Sequence, residues 1–566
     1  MAKKSASKKT KPTASSAQAV TRKKSTAKPS SSLFGEPWWP MILLGLSALC
    51  FLIARFKLLA IPLERDEGSF AYISHWLWRG KDLYTDMLDS KLPGLYAYYG
   101  FFTTIFGYNA SGIHTGLLFA NIASGICFYF LVKDIYSRYL AIIATSLLLW
   151  MLVSPNIMGY AAHATQLLMP FMLGGILLFW KGLQKNKLHL FFLSGLLIGI
   201  SFTIKQQSAV FGILIALIWW PARLWWNRNE KSRVPILEWV LLGVGGLLPA
   251  ACVFLYFLQS GRFDLFYDWT ITQPVNLAKS FEQPWYEMFL YVFPMVTEGF
   301  WGVWIAAGLG LVLIFISGFK KFGSTFGFAF GVIGLASVII GAAYYKHYFA
   351  VAMPGLALLA ACTINWISQK TGKVGPALGI GITAILLMFA LKGRSDYYFK
   401  PDYAKIHFKN YGHNLFPEIE KIGEELKKRV PEGGSIGVLG SEPELLVVAD
   451  RAGCSKYLMV YAMLFDPVRS PPMQQEYIKE IQECAPEYIV WNMTTGSWTV
   501  GYDGLQFFQQ LIEWVEANYD TVGLAESRED RPGVVTWDNA LFNYQPQSDY
   551  QVRVFRKKQT PAPPQG

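Results

Sequence analysis

LERDEGSFAYISHWLWRG, residues 63–80, follows directly on the first long apolar run of the chain. Glu64, Arg65, Asp66 and Glu67 therefore stand at the end of a hydrophobic span, where charge is costly unless it is paired or in use. How they are read depends on whether that run crosses a membrane. The 566 residues are 52% hydrophobic and only 16% charged, with 20 Trp, 40 Phe and a mean hydropathy of +0.28. A globular protein carries about 25% charged residues, so the composition is that of a multi-pass membrane protein.

The net charge of +12 belongs mostly to residues 1–32, where eight Lys and one Arg stand without an acid and leave only +3 for the rest. That stretch has almost nothing apolar to bury and reads as a disordered basic tail that sets topology on the cytoplasmic side. It gives no reason to expect nucleic-acid binding. Apolar runs of spanning length lie near 38–60, 112–132, 139–154, 163–181, 189–204, 207–222, 236–258, 290–317, 324–343, 348–367 and 375–392. About eleven spans follow, within a range of 10–13. Alternate loops hold Lys133 and Arg138; Lys181, Lys185 and Lys187; Arg223, Arg228, Lys231 and Arg233; Lys320 and Lys321; Lys370 and Lys373. The positive-inside rule puts all of these on the cytoplasmic side. Arg55 and Lys57 run against the rule. The pattern holds only if PGLYAYYGFFTTIFG (93–107) does not cross, and it reads as an interfacial helix.

This topology gathers polar residues on the outer face: the loop 61–111 with its acids, YAAHATQ (160–166), IKQQS (204–208), the loop 259–289, YYKHYF (344–349) and everything after 396. Residues 33–396 form the transmembrane domain, and 397–566 change to the composition of a soluble α/β domain on the outer face. In that domain HNLFPEIEKIGEELKKRV (413–430) has helical periodicity, while SIGVLG, EYIVWN and YQVRVFRKK read as strands. GVLGSE is too poor in glycine to argue for a phosphate loop. Of the six cysteines, only Cys454 and Cys484 are placed to pair, and no metal framework is indicated.

Candidate chemistry follows from the outer-face residues. Asp66 and Glu67 read either as a solvated interfacial acid pair or as carboxylates that take a proton from a hydroxyl. Lys91, two residues after Asp89, together with Lys205, Lys346 and His347, could neutralise a phosphate, although each lysine alone also suits lipid anchoring. His163, Thr165 and Gln166 read equally as a helix-end cluster or a sugar-binding one. Trp269, Trp285 and Tyr286 suit either sugar stacking or an interfacial aromatic belt.

DEGSFAYISHWLWRGKDLYTDMLDSKLPGLY (66–96) resembles the first outer loop of the GT-C superfamily of polyprenyl-phosphate-sugar-dependent glycosyltransferases. The likeness is to the bacterial branch that groups with protein O-mannosyltransferases and lipid A aminoarabinose transferases. An Asp-Glu pair opens the loop, Gly80-x-x-x-Tyr84-x-Asp86 follows, and Asp89-x-Lys91-x-Pro93 closes it. Leu92 stands where the family often has Pro directly after Lys, and His163 and Gln166 stand where it often has a carboxylate. The resemblance implies an inverting hexosyl- or pentosyltransferase of the cell envelope, multi-pass in the bacterial inner membrane, with its C-terminal domain periplasmic. It implies Asp66, with Glu67, as the catalytic acids; Lys91, Lys205, Lys346 and His347 on the donor phosphate; and Tyr72, Asp89, His163, Gln166 and Trp285 on the substrates. The expected partners are a polyprenyl-phosphate-linked sugar, a glycolipid, glycan or protein acceptor, and the lipid bilayer, with no nucleic acid. No cofactor is required, and no ligand set singles out a metal, although Asp66, Glu67 and Asp89 could hold a hard cation. The alternative reading is a multi-pass transporter of an anionic or lipid-linked substrate. Against it, no repeat is detectable and the charges gather at one face.

Overall fold

The computed structural model describes residues 38–226, 235–280, 283–319, 321–340, 344–464, 466, 468–498, 506–528 and 533–559. The basic tail 1–32, Arg228, Lys231, Arg233 and Lys320 lie outside the described residues. Eight helices are long and apolar enough to cross a membrane, and Arg138–Leu152 and Leu188–Ile204 are shorter apolar helices. A bent pair, Trp285–Thr297 and Trp301–Ser317, completes eleven apolar segments at the positions expected from sequence. The difference lies in that pair. The run 290–317 is not one span but two helices meeting at 118°, and Gly299 supplies the left-handed φ of +77° at the corner.

The first helix, α1 (Pro40–Leu58), shows the environment these segments are built for. Ile42, Leu46, Leu49, Ile53 and Phe56 are exposed, whereas Ser47, Phe51, Ala54 and Leu58 are buried. Both stripes recur at helical spacing, and the outward one is apolar, as lipid demands. Arg55 lies on the inward face, 2% exposed. Its guanidinium donates to the carbonyls of Gly159 and Leu152 and to the side-chain oxygens of Asn121 and Gln166. That network removes the conflict with the positive-inside rule, because Arg55 is a buried staple rather than a loop charge.

The segments that position the site follow in order. Helix α2 (Arg65–Leu77) starts on a reciprocal cap: Glu67 N donates to Glu64 Oε1, and Glu64 N donates to Glu67 Oε2. Helix α3 (Pro93–Phe106) begins with Pro at its first turn, and it is not among the spanning helices. Then come α4 (Ala110–Ile135) and α5 (Arg138–Leu152). The stretch 259–289 is largely helical, with Phe263–Tyr267, a π-helical turn Asp268–Thr272 and Gln273–Ser280.

The C-terminal region carries a six-stranded sheet in the order β2-β1-β3-β6-β4-β5. Its strands are β1 (Ser435–Leu439), β2 (Ala452–Gly453), β3 (Tyr488–Asn492), β4 (Tyr519–Glu526), β5 (Val534–Trp537) and β6 (Gln551–Lys557). β1 pairs in parallel with β2 and β3, and the remaining pairs are antiparallel. The three strands and the amphipathic helix (Phe416–Arg429) expected from sequence are present. β2, β4 and β5 are additional. Cys454 and Cys484 form a disulfide across 30 residues. From Trp39 onward the chain packs as one compact unit, so the sheet and the helical bundle share contacts.

Candidate active site

A cavity of about 910 Å³ opens where four loops of the bundle meet the sheet region. Its first wall is the start of α2. The cap at Glu64 turns the chain so that Asp66, on the first turn, faces the cavity with its side chain 31% exposed. Glu67 lies about 100° further round the helix and points away. It is fully buried, takes a hydrogen bond from Ala162 N at 2.6 Å and lies 2.9 Å from His114 Nε2.

The second wall is the end of the loop before α3. Tyr84, buried and at a left-handed φ of 64°, donates from its hydroxyl to Lys91 O at 2.6 Å. Lys91 Nζ sits 3.5 Å from Asp89 Oδ1 and donates to Ser90 Oγ. Gly94 lets α3 come down on the helix Leu188–Ile204, since a Cβ there would sit 2.3 Å from Thr203 Oγ1. That close approach sets Lys91 beside Lys205, the residue that ends the neighbouring helix. Lys205 is 8% exposed, and its ammonium lies 3.8 Å from the centre of the Tyr348 ring.

The third wall is the turn 158–163. Ala162 is pinned from both sides, by Glu67 at its N–H and by the Tyr99 hydroxyl at its carbonyl. His163 follows and projects inward, 2% exposed, with Nδ1 3.7 Å from Asp66 Oδ2 and 3.9 Å from Glu64 Oε1. Its ring stacks on His347 at 3.9 Å. The fourth wall is the segment Tyr345–Tyr348, whose Lys346 reaches Asn410 Oδ1 at 3.5 Å. The rest of the lining comes from Trp269 and its helical neighbours and, on the sheet side, from Ser441, Tyr457, Tyr461 and Ser497.

Asp66, Asp89, Lys91, His163, Lys205, Lys346 and His347 therefore meet in one space, although they are scattered over more than 280 positions. Four residues singled out from sequence do not line it. Glu67 is tied to His114 and Ala162. Tyr72 accepts a hydrogen bond from Gly453 N at 2.9 Å. Gln166 is part of the Arg55 network. Trp285 is exposed outside the cavity, and buried Trp269 lines it instead. Glu64, Arg65 and the sheet-side residues were not legible as site residues. Glu64 and Arg65 carried only the signal of being charged beside Asp66, and the sheet-side residues carried none.

The electrostatics are those of an anion site with an ionised acid in it. Burial pushes Asp66 upward, but His163, Lys91 and Lys205 outweigh it and hold the carboxyl at about 2. Burial and the nearby acids raise Glu64 to about 7. Burial alone would lower Lys91, yet Asp89 and its other neighbours keep it above the usual lysine range. Lys205 has less compensation, so burial and the charge of Lys91 lower it to about 7. Asp66, His163 and His347 each offer one ligand atom, all within 4.8 Å of one another. A carboxylate with two imidazoles suits a divalent cation of the zinc type, while Lys91 and Lys205 beside it favour an anion.

Residues 91–253 match the family model described as dolichyl-phosphate-mannose-protein mannosyltransferase. No curated protein sequence is significantly similar to the chain. Among solved structures, ArnT from Cupriavidus metallidurans is similar in two states. Bound to undecaprenyl phosphate it gives a TM-score of 0.57 at 12% identity, over 91% of this chain and 98% of that one. In the apo state the TM-score is again 0.57, at 15% identity, over 90% and 99%. Archaeoglobus fulgidus oligosaccharyltransferase AglB, in complex with an inhibitory peptide and a dolichol-phosphate, gives a TM-score of 0.47 at 10% identity, over 90% of this chain and 75% of that chain. The likeness to ArnT extends over nearly the whole of both chains, so what is shared is the architecture, helical bundle and sheet together.

Proposed function

We propose, from a chain whose architecture is that of the GT-C superfamily of polyprenyl-phosphate-sugar-dependent glycosyltransferases, that the protein transfers a sugar from a polyprenyl-phosphate donor to a hydroxyl-bearing acceptor. The supporting observation is one ionised carboxylate, Asp66, facing the ammonium groups of Lys91 and Lys205 across a single cavity. Asp66 takes the proton from the acceptor hydroxyl, and the oxygen attacks the anomeric carbon. The bond to the phosphate oxygen breaks, and the sugar inverts. Lys91 and Lys205 meet the charge that gathers on the departing polyprenyl phosphate. Lys346 and His347 extend that wall, and Asp89 holds Lys91 in place. His163 orients the Asp66 carboxylate. The phosphate is a good leaving group, and the scheme calls on no metal. The site lies on the outer face of the membrane, where the positive-inside pattern sends loop 61–111, and the acceptor is a glycolipid, glycan or protein.

The test is transfer of radiolabelled sugar from a panel of polyprenyl-phosphate sugars to membrane extract, with and without a chelator, by the intact protein and by Asp66→Asn. The expected outcome is label from one class of donor, unaffected by chelation, and lost about 10²–10⁴-fold in Asp66→Asn. Equal incorporation by both proteins would remove the base assignment. No incorporation by the intact protein from any donor would turn the reading towards a transporter.

A further inference from the structure

The face of α2 that turns away from the membrane bundle is occupied at 65, 68, 72 and 75, a spacing of three, four and three that lines up on one side of a helix. Every one of these positions meets the sheet region. Arg65 donates from Nε to Ser441 O and from Nη2 to Asn414 Oδ1 at 3.0 Å and Glu442 Oε1 at 3.2 Å. Gly68 lies against the backbone of Glu444, where a Cβ would stand 2.3 Å from its N. The Tyr72 hydroxyl receives Gly453 N, and His75 Nε2 is 3.5 Å from Asp450 Oδ1. On another side, Glu67 fastens the helix to His114 and Ala162 of the bundle. Asp66 occupies the remaining side, and the helix that carries it is gripped from both directions.

The grip at Arg65 comes from a particular place in the sheet. The strand next in sequence to β1 is β2, on one side of it, and β3 lies on the other. The crossovers therefore part between β1 and β3, and in open α/β sheets the crevice outside the carboxyl ends at such a point is where ligands bind. Glu442, 1% exposed, sits in that crevice and accepts from Asn492 Nδ2 at 2.7 Å and Ser497 Oγ at 2.9 Å. Its remaining partner is Arg65. A buried carboxylate needs its counter-charge, and here the bundle supplies it.

We propose that the C-terminal domain is the seat of the catalytic helix. Glu442, in the sheet crevice, clamps Arg65 and thereby fixes where the neighbouring Asp66 carboxylate points, so that both are positioning residues for the transfer. This rests on reading Asp66 as the base. A misplacement of about 1 Å in such a group costs on the order of 10²-fold in rate, whereas the donor phosphate is held by Lys91 and Lys205 on other segments.

The experiment compares steady-state sugar transfer by the detergent-extracted full-length protein, by Arg65→Lys, by Glu442→Gln and by Glu442→Asp. Arg65→Lys and Glu442→Gln are expected to lower kcat about 10²-fold and leave donor KM within about twofold. Glu442→Asp, which keeps the charge, is expected to recover at least about tenfold of the loss. Asp450→Asn loosens the same face at its far end, and its kcat is expected to stay within about twofold of the intact enzyme. Unchanged kcat in both Arg65→Lys and Glu442→Gln overturns the proposal. So does a parallel loss of donor affinity, or a failure of Glu442→Asp to recover activity. Asp66→Asn in the same series separates the two ideas. If it retains transfer, the base reading fails; if it loses transfer while Glu442→Gln does not, only the seat fails.

Discussion

The four charges at 64–67 have four separate occupations, and only Asp66 is left facing the cavity with an ionised, partly exposed carboxylate. Glu64 caps the helix and lines the cavity wall, Arg65 reaches into the sheet, and Glu67 is spent on His114 and Ala162. Among the cations, Lys91 and Lys205 differ in a way that has a measurable result. Lys91 is paired with Asp89 and keeps its charge at all ordinary pH values. Lys205, held at about 7, carries its charge below pH 7 and loses it as the pH rises through that value. The donor phosphate selects the charged form, so affinity is full on the acid side and falls on the alkaline side. Donor KM measured from about pH 6 to about pH 9 should rise above neutrality by up to about tenfold per unit. Arg stays protonated throughout this range, so Lys205→Arg should flatten the curve; a flat curve in the unaltered protein would mean that Lys205 does not meet the phosphate.

Helix α3 and the helix Leu188–Ile204 act as a pair of jaws, with Gly94 over Thr203 as their closest approach. Lys91 stands three residues before that contact and Lys205 two residues after it. Gly94→Ala forces the two backbones apart, because nothing flexible lies in the way; the neighbouring atoms include the main chain of Thr203. We expect a loss of about 1–3 kcal/mol in stability, read as a lower melting temperature in detergent, together with a higher donor KM as the two lysines separate. Unaltered melting and KM would show that the jaws can open at no cost. This element was half legible in the sequence. Pro93 announces the start of α3 and the aromatic run announces its length, but nothing in a single chain tells which distant helix a glycine is there to admit.

Across the whole molecule, the parts read correctly from sequence are those that obey a local rule. Eleven apolar segments follow from length and hydropathy, β1, β3 and β6 from β-branched and aromatic runs, and the Asp66 and Lys91 neighbourhood from charge at a span end. The parts missed are held by partners hundreds of residues away. Gln166 looked like a sugar ligand because Arg55, its partner, lies 111 residues earlier. Tyr72 looked like one because Gly453 lies 381 residues later. Trp285 and Trp269 are alike in composition, and only the break at Asp268–Thr272 and the 118° bend separate the one that faces the cavity from the one that does not. The sheet itself is tied by Cys454–Cys484, which joins the stretch after β2 to the helix Ser470–Cys484. Replacing both cysteines by serine should cost about 3 kcal/mol, measured by thermal unfolding of the oxidised protein against the double variant. It should also cost transfer activity, because Gly453 and Lys456, on the tethered stretch, hydrogen-bond Tyr72 and Leu88 of the first loop. The place of β6 in the middle of the sheet, between β3 and β4, bears on the order of biosynthesis. The catalytic loop is made among the first hundred residues, yet its seat lacks a centre until residues 551–557 have been made and delivered to the same side of the membrane. A ribosome-bound or prematurely stopped chain would hold every charged group of the cavity and still be inert, so the enzyme comes with a built-in check that no partly made copy begins to spend lipid-linked sugar.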